Sequence, residues 1–248
     1  MDRYAFEKER GMSMTEEELE KLRSECLKLP VEEKEGYRTK DYVLNLVWTV
    51  LDFQMKAEVV DAAIDFYSEN RRRQLRTHKA FAELVASFPD TKTGNLKLAN
   101  YLWNNNHWTR AKFLRELLKY FRGRKVRGMG ALSAWARRIN FRAIKGQVKT
   151  EEHSMGYAIL KWLQIRLGID TVKPDVHVKR FVSDCIGRKV KDEETVEAVE
   201  VIARELKIPA FRLDAAIWLH QRDKSIRKRR ELKESERKNE VEKEDDDE

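Results

Sequence analysis

The segment Val172-Lys-Pro-Asp-Val-His-Val-Lys-Arg180 brings an acid, an imidazole and several cations within a few residues of one another. Pro174 holds Lys173 extended, and Asp175 then stands where a side-chain oxygen caps a helix striped by Val178, Phe181, Val182, Cys185 and Ile186. A carboxylate at a helix N-terminus is kept ionised by the adjacent N–H groups, which suits an anion that must face a developing positive charge. The plainer reading of Asp175 is an N-cap and nothing more, and the local pattern does not choose between the two. Elsewhere the chemistry is sparse. The five histidines and two cysteines, Cys26 and Cys185, lack metal-ligand spacing, and neither a GxGxxG, a P-loop nor a Ser/His/acid arrangement occurs. No metal and no cofactor are expected.

Charge points toward a polyanion. The chain of 248 residues carries a net +8. Nine basic and eleven acidic groups lie in 223–248, so the remaining 42 basic and 32 acidic groups give residues 1–222 a net +10. Nucleic acid is the commonest polyanion in a cell, while a solvated surface of a heat-tolerant protein explains the same count. The run Asn70 to Lys79, with Arg71, Arg72, Arg73 and Arg76, could neutralise phosphates if it lies on a binding face, a solvated loop being the commoner explanation. The basic linker from Arg122 to Gly130 has glycines too irregular for a phosphate cradle. With two cysteines, no apolar run long enough for a bilayer and no leader, a reducing, cytoplasmic setting is expected.

The elements that position Asp175 read as helices, and the fold class is all-α. Few glycines, four prolines and 38% charged residues fit that class. Upstream of Asp175, Ile159, Leu160, Leu163 and Leu167 recur at helical spacing, with Trp162 and Ile165 widening the stripe, and Gly168 ends the helix. Earlier helices are expected from Thr15, with Glu18 completing a capping box, over 42–54, 57–69, 80–89 and 95–105. Asp90 to Gly94 reads as a turn, Thr109 as the cap of a long helix to Phe121, and 131–139 as a further helix. Helices over 192–206 and 211–220 close the ordered part, and 223–248 is too charged to bury a core.

The run HSMGYAILKWLQIRLGIDTVKPDVHVKRFV resembles the helix-hairpin-helix DNA glycosylases of the endonuclease III superfamily. In that family a hairpin holds DNA backbone through main-chain N–H groups, an apolar helix follows, and a glycine precedes the Asp of a D-x-H-V-x-R helix. The matching positions are Ser154, Met155 and Gly156, the helix from Tyr157, Gly168, and Asp175 with His177, Val178 and Arg180. VLDFQMKAEVVDAA is similar to the family helix whose terminal Gln fills the gap left by an extruded nucleotide, which nominates Gln54, and WTRAKFLRELLKYF resembles a later family helix.

The resemblance implies two helical subdomains with a cleft between them: 1–40 as an N-terminal helix packing with the C-terminal subdomain, 41–150 as a helical barrel, and 151–222 as the hairpin and C-terminal helices; 223–248, from its charge alone, reads as a disordered tail or a frayed solvent helix. It implies Asp175 as catalytic, Tyr157 and Gln54 at the base pocket or DNA face, and backbone binding by His153, Ser154, Met155, Gly156, His177 and Arg180. The implied partner is double-stranded DNA with a damaged or modified base, expected to be bound by a monomer and away from any membrane, which narrows the cytoplasmic setting to a nucleoid-associated one. The family hairpin reads Pro-Gly-x-Gly, and only its second glycine is matched here. Where bifunctional members carry a nucleophilic Lys this chain has Tyr157 or Ala158, so the resemblance implies hydrolysis without lyase activity, and the lack of four cysteines implies no iron–sulfur cluster. Two other readings stand beside it: a non-catalytic helix-hairpin-helix DNA-binding protein, and a helical interaction protein whose basic surface serves only solvation.

Overall fold

The computed structural model describes residues 14–33, 38–52 and 55–227. The protein is all-α, and among the described residues the sole β feature is an isolated antiparallel bridge between Lys149 and Ser154. None of the described helices is long and apolar enough to cross a membrane. The chain folds as two compact units, one formed by Glu35–Thr171 and the other by residues 1–34 together with 172–248.

The unit Glu35–Thr171 is built around helix α2 (Tyr42–Leu51), in which every residue except Trp48 is buried. Its sequence is almost wholly apolar, so no face is left for water. Each fully buried Val or Leu contributes about 1.5–3 kcal/mol relative to exposure. Asp41 caps it, accepting from Leu44 N–H at 3.0 Å. Around it pack α3 (Ala57–Asn70), α4 (His78–Ser87), α6 (Trp108–Gly123) and α9 (Tyr157–Arg166), with α5 (Lys92–Trp103) laid against α3 and α6, and α7 (Met129–Arg138) against α9. A single turn, α8 (Phe141–Ile144), leads into the hairpin before α9.

The expected boundary after residue 150 is not the one the chain uses. Helix α9 buries Ile159, Leu160, Leu163 and Leu167 in the same cluster as α2, and Gln164 Nε2 donates to the Ala136 carbonyl at 2.8 Å, so the hairpin and α9 belong with Glu35–Thr171. The chain passes to the other unit only after Thr171.

Helix α5 starts earlier than the sequence pattern implies. Thr91 caps it, its hydroxyl accepting from Gly94 N–H at 3.1 Å, so Gly94 lies inside the first turn and not in a loop. A Cβ at Gly94 would sit 2.0 Å from the Pro89 carbonyl oxygen. In an open helix Gly→Ala gains about 1 kcal/mol. Here the clash is with main chain and the sign reverses: Gly94→Ala should lower stability by about 1–3 kcal/mol, read as a fall in the urea midpoint at unchanged slope. Thr109 also departs from expectation. Helix α6 begins at Trp108, so Thr109 is inside the first turn and its hydroxyl meets His153 Nε2 at 3.0 Å.

In the other unit, α1 (Glu16–Cys26) carries the capping box read from sequence: Glu18 N–H donates to the Thr15 hydroxyl at 3.3 Å and Thr15 N–H to the Glu18 carboxylate at 2.8 Å. Leu22 and Cys26 bury its inner face against α10 (Val176–Ile186) and α11 (Asp192–Glu205). Arg188 joins the pieces, bonding Glu18 and Glu194 at 2.6 Å each. The Arg188 hydrogen bond, followed by the Thr15 N–H, pulls the Glu18 pKa from 4.5 down to about 2. A folded value below the unfolded one stabilises above pH 4.5, and the gain is lost as pH falls toward 2. Arg188→Ala should therefore flatten the decline of the thermal midpoint between pH 5 and 2, with high salt having the same effect on the native protein.

The last helix, α12, is described over 210–227. It continues past Arg222, so of the two readings of the charged tail the helical one holds over 223–227; residues 228–248 lie outside the described residues. Along this stretch Gln221 is buried and Lys224 pairs with Asp184 at 3.6 Å.

Candidate active site

Asp175 is the N-cap of α10, and its Oδ1 accepts from the backbone N–H groups of His177 at 2.8 Å and Val178 at 3.0 Å. Those two amides are orphans of the helix start, so one carboxylate oxygen satisfies the backbone and fixes the group's direction. Among the described residues no hydrogen bond engages Oδ2, and the side chain is part-exposed. The arrangement leaves one oxygen of a rigidly held anion available.

Helix α12 supplies what stands behind it. Its ring contacts with α10 advance together, Trp218 on His177 with centroids 5.8 Å apart and His220 on Phe181 at 6.0 Å, and the Lys224–Asp184 pair follows. The two helices therefore run in the same direction, with their N-terminal ends together. That register sets Asp214 close to Asp175. Asp214 is 8% exposed, and its Oδ1 is buried without a hydrogen-bond partner. Burial first, then the Asp175 charge, raises its pKa well above the carboxylate range, with Lys173 opposing through its charge and its N–H. The site thus pairs a part-exposed carboxylate with a buried carboxyl whose neutral form is favoured. Sequence reading missed Asp214. The signal was its place in the buried stripe of Ala210, Leu213, Ile217 and Gln221, where a lone acid has to be explained.

His177 lies part-buried against Trp218, and Arg180 on the same helix is exposed with no ion pair among the described residues. The remaining nominated residues belong to the other unit. Gln54 lies outside the described residues. Tyr157 opens α9 with its ring edge-on to Phe141 at 5.1 Å. In the hairpin, Thr150 N–H donates to the His153 carbonyl at 2.7 Å, His153 N–H to the Thr150 hydroxyl at 3.0 Å and Met155 N–H to the Val148 carbonyl at 2.9 Å. The amides of His153 and Met155, expected to bind DNA backbone, both close the hairpin here, and Met155 is 1% exposed in the core. Ser154 is exposed, and Gly156 is the N-cap of α9, whose first turn has no side-chain cap.

Other nucleophiles are weak. Lys161 Nζ donates to the Thr171 hydroxyl at 2.8 Å and lies 5.5 Å from the Tyr157 ring. Burial pushes the Cys26 thiol up to about 12 and Cys185 up to about 11, so neither is a thiolate at neutral pH. Among the described residues no three His, Cys, Asp or Glu side chains gather as metal donors. Of the tryptophans, Trp103 is core, and Trp48 and Trp162 flank the buried Arg166 guanidinium at 5.5 and 5.4 Å.

Fold and site together define an all-helical, two-unit protein with a main-chain-anchored carboxylate beside a buried carboxyl. The chain belongs to the family described as Domain of unknown function (DUF8548), whose model matches residues 20–222. No curated protein and no solved structure matches it.

Proposed function

We propose that the protein is a monofunctional DNA glycosylase of the helix-hairpin-helix type, hydrolysing the N-glycosidic bond of a damaged or modified base in duplex DNA to leave an abasic site. The observation that carries this reading is the Asp175 carboxylate, clamped through Oδ1 by two backbone N–H groups with Oδ2 unengaged, in a Pro-Asp-x-His-Val-x-Arg context. As the glycosidic bond breaks, its electron pair leaves with the base and the sugar gains oxocarbenium character. An anion that cannot rotate away stabilises that charge without reorganising. Water then bonds through its oxygen to the anomeric carbon, and the carboxylate takes its proton. A neutral Asp214 supports this role, because it places no second negative charge beside the Asp175 carboxylate.

DNA as the polyanion is supported by the net +10 of residues 1–222 and by Arg180, exposed on the helix that Asp175 caps. Extrusion of the target nucleotide is the route by which such a carboxylate reaches the sugar. Lys161 is engaged by Thr171, which agrees with hydrolysis and not Schiff-base chemistry. The alternative, a non-catalytic DNA-binding protein of the same type, draws on a specific observation: the hairpin amides of His153 and Met155 are already bonded.

The test is a panel of duplexes, each with one alkylated, oxidised, deaminated, mismatched or otherwise modified base, scored for strand breaks with and without hot alkali. Cleavage of at least one duplex only after alkali is the expected result. Binding of every duplex with no abasic site in any of them favours the non-catalytic protein.

A further inference from the structure

A second feature lies wholly within the unit Glu35–Thr171 and is independent of the glycosylase reading. It is a pocket of about 720 Å³ where the start of α2, the end of α3, the start of α4 and the start of α7 meet. Helix α2, ten residues long, spans about 15 Å, and the pocket is at its N-terminal end, opposite the end that leads to Gln54.

Five cations line it: Lys40, Arg72, Arg73, Arg76 and Arg127. Asp41 is the one carboxylate in the lining, and it is already committed, accepting from Arg72 Nε at 2.8 Å and from Leu44 N–H. Lys40, Arg73, Arg76 and Arg127 have no ion pair among the described residues. The lining therefore carries a net charge of four, held on three separate chain segments. Its field is felt locally: burial, then Arg127 and Arg122, lowers the pKa of His78 in the pocket wall.

Three helix N-termini open on the same space, at Asp41, Thr77 and Gly128. The first two are capped by their own side chains, whereas α7 starts at Gly128 with no side-chain cap, beside Arg127. Converging like charges cost free energy unless an anion offsets them, and the positive ends of helices add to that field.

We propose that this pocket binds a small polyphosphate, a ligand carrying three to four negative charges on linked phosphate groups, as in tripolyphosphate or a nucleoside triphosphate. Charge fixes the valence, since a single phosphate leaves about half of the lining uncompensated. Shape favours a small molecule over a duplex. The cations surround a concavity of ligand size, whereas a duplex backbone presents its phosphates along a line. Five of the twelve lining residues are cations, so recognition is by phosphate and not by a base.

Calorimetry on the full chain at fixed ionic strength tests it, with tripolyphosphate, ATP, AMP, orthophosphate and an undamaged duplex as titrants. Tripolyphosphate and ATP should bind at least ten-fold more tightly than AMP or orthophosphate. Arg76→Gln and Arg127→Gln should each weaken tripolyphosphate about ten-fold, as expected for losing one charge-assisted contact, with thermal midpoints unchanged because both side chains are exposed. A preference for tripolyphosphate without ATP points to the inorganic ion and still supports the site. Equal affinity for all phosphates, indifference to both variants, or binding of the duplex alone would overturn it.

Discussion

Asp175→Asn should abolish base release while leaving the protein folded and bound to DNA. The amide retains an oxygen for the His177 and Val178 N–H groups, and Asn caps helices as well as Asp does, so the thermal midpoint should move little. What disappears is the negative charge. Removing one fixed electrostatic contact to a charged transition state costs about 10²–10³ in rate, and losing proton acceptance from water adds to that. Single-turnover rates on a cleaved duplex should fall by at least that factor, with duplex affinity unchanged within a few-fold. The variant also removes the charge that raises the Asp214 pKa, so that carboxyl should ionise at lower pH than in the native protein, measurable by carbon NMR.

The largest effect on stability is expected at Arg166. This side chain is 0% exposed, and its guanidinium donates to the Asn45 carbonyl at 3.2 Å and to the Thr49 hydroxyl, between Trp48 and Trp162. Burial lowers its pKa to about 9, and the Asp52 charge opposes the shift. Removing the guanidinium takes away the donor that the buried Asn45 carbonyl and Thr49 hydroxyl accept from, and a buried polar group that loses its partner typically costs about 1–3 kcal/mol. Arg166→Ala adds a cavity between two indoles and should fall at the upper end of that range. Arg166→Met fills the space and should recover part of the loss. The measurement is the urea midpoint of each variant; equal values for Ala and Met would mean that the lost donor alone, and not packing, sets the cost.

Local pattern made much of the fold legible. The capping box at Thr15 and Glu18, the N-cap at Asp175, the stop at Gly168 with φ +80° and the stripe of α9 each depend on neighbours within one or two turns. What could not be read depends on distant partners. Gly94 looks like a turn residue until the Pro89 carbonyl is placed against it, and Thr109 looks like a cap until His153 reaches its hydroxyl. The division after Thr171 follows from which core α9 enters, a choice its all-round apolar surface leaves open. In the site, Asp175 could be picked out by its helix-start signature, whereas Asp214 gains its meaning only when α12 lies beside α10. The arginines at 72, 73 and 76 read as a solvated run because Lys40 and Arg127, which complete the pocket, are 32 or more residues away.

The proposed role of Asp175, an anion presented to a sugar that becomes cationic, can be tested without knowing the base. Duplex affinity should be measured for a pyrrolidine nucleotide, cationic at the place of the developing charge, and for its neutral tetrahydrofuran counterpart. Transition-state mimics bind about 10²-fold or more tightly than ground-state analogues. The native protein should prefer the cationic duplex by at least that factor, and Asp175→Asn should lose the preference. Equal affinity of the native protein for the two duplexes, or a preference that survives in Asp175→Asn, would contradict the assignment.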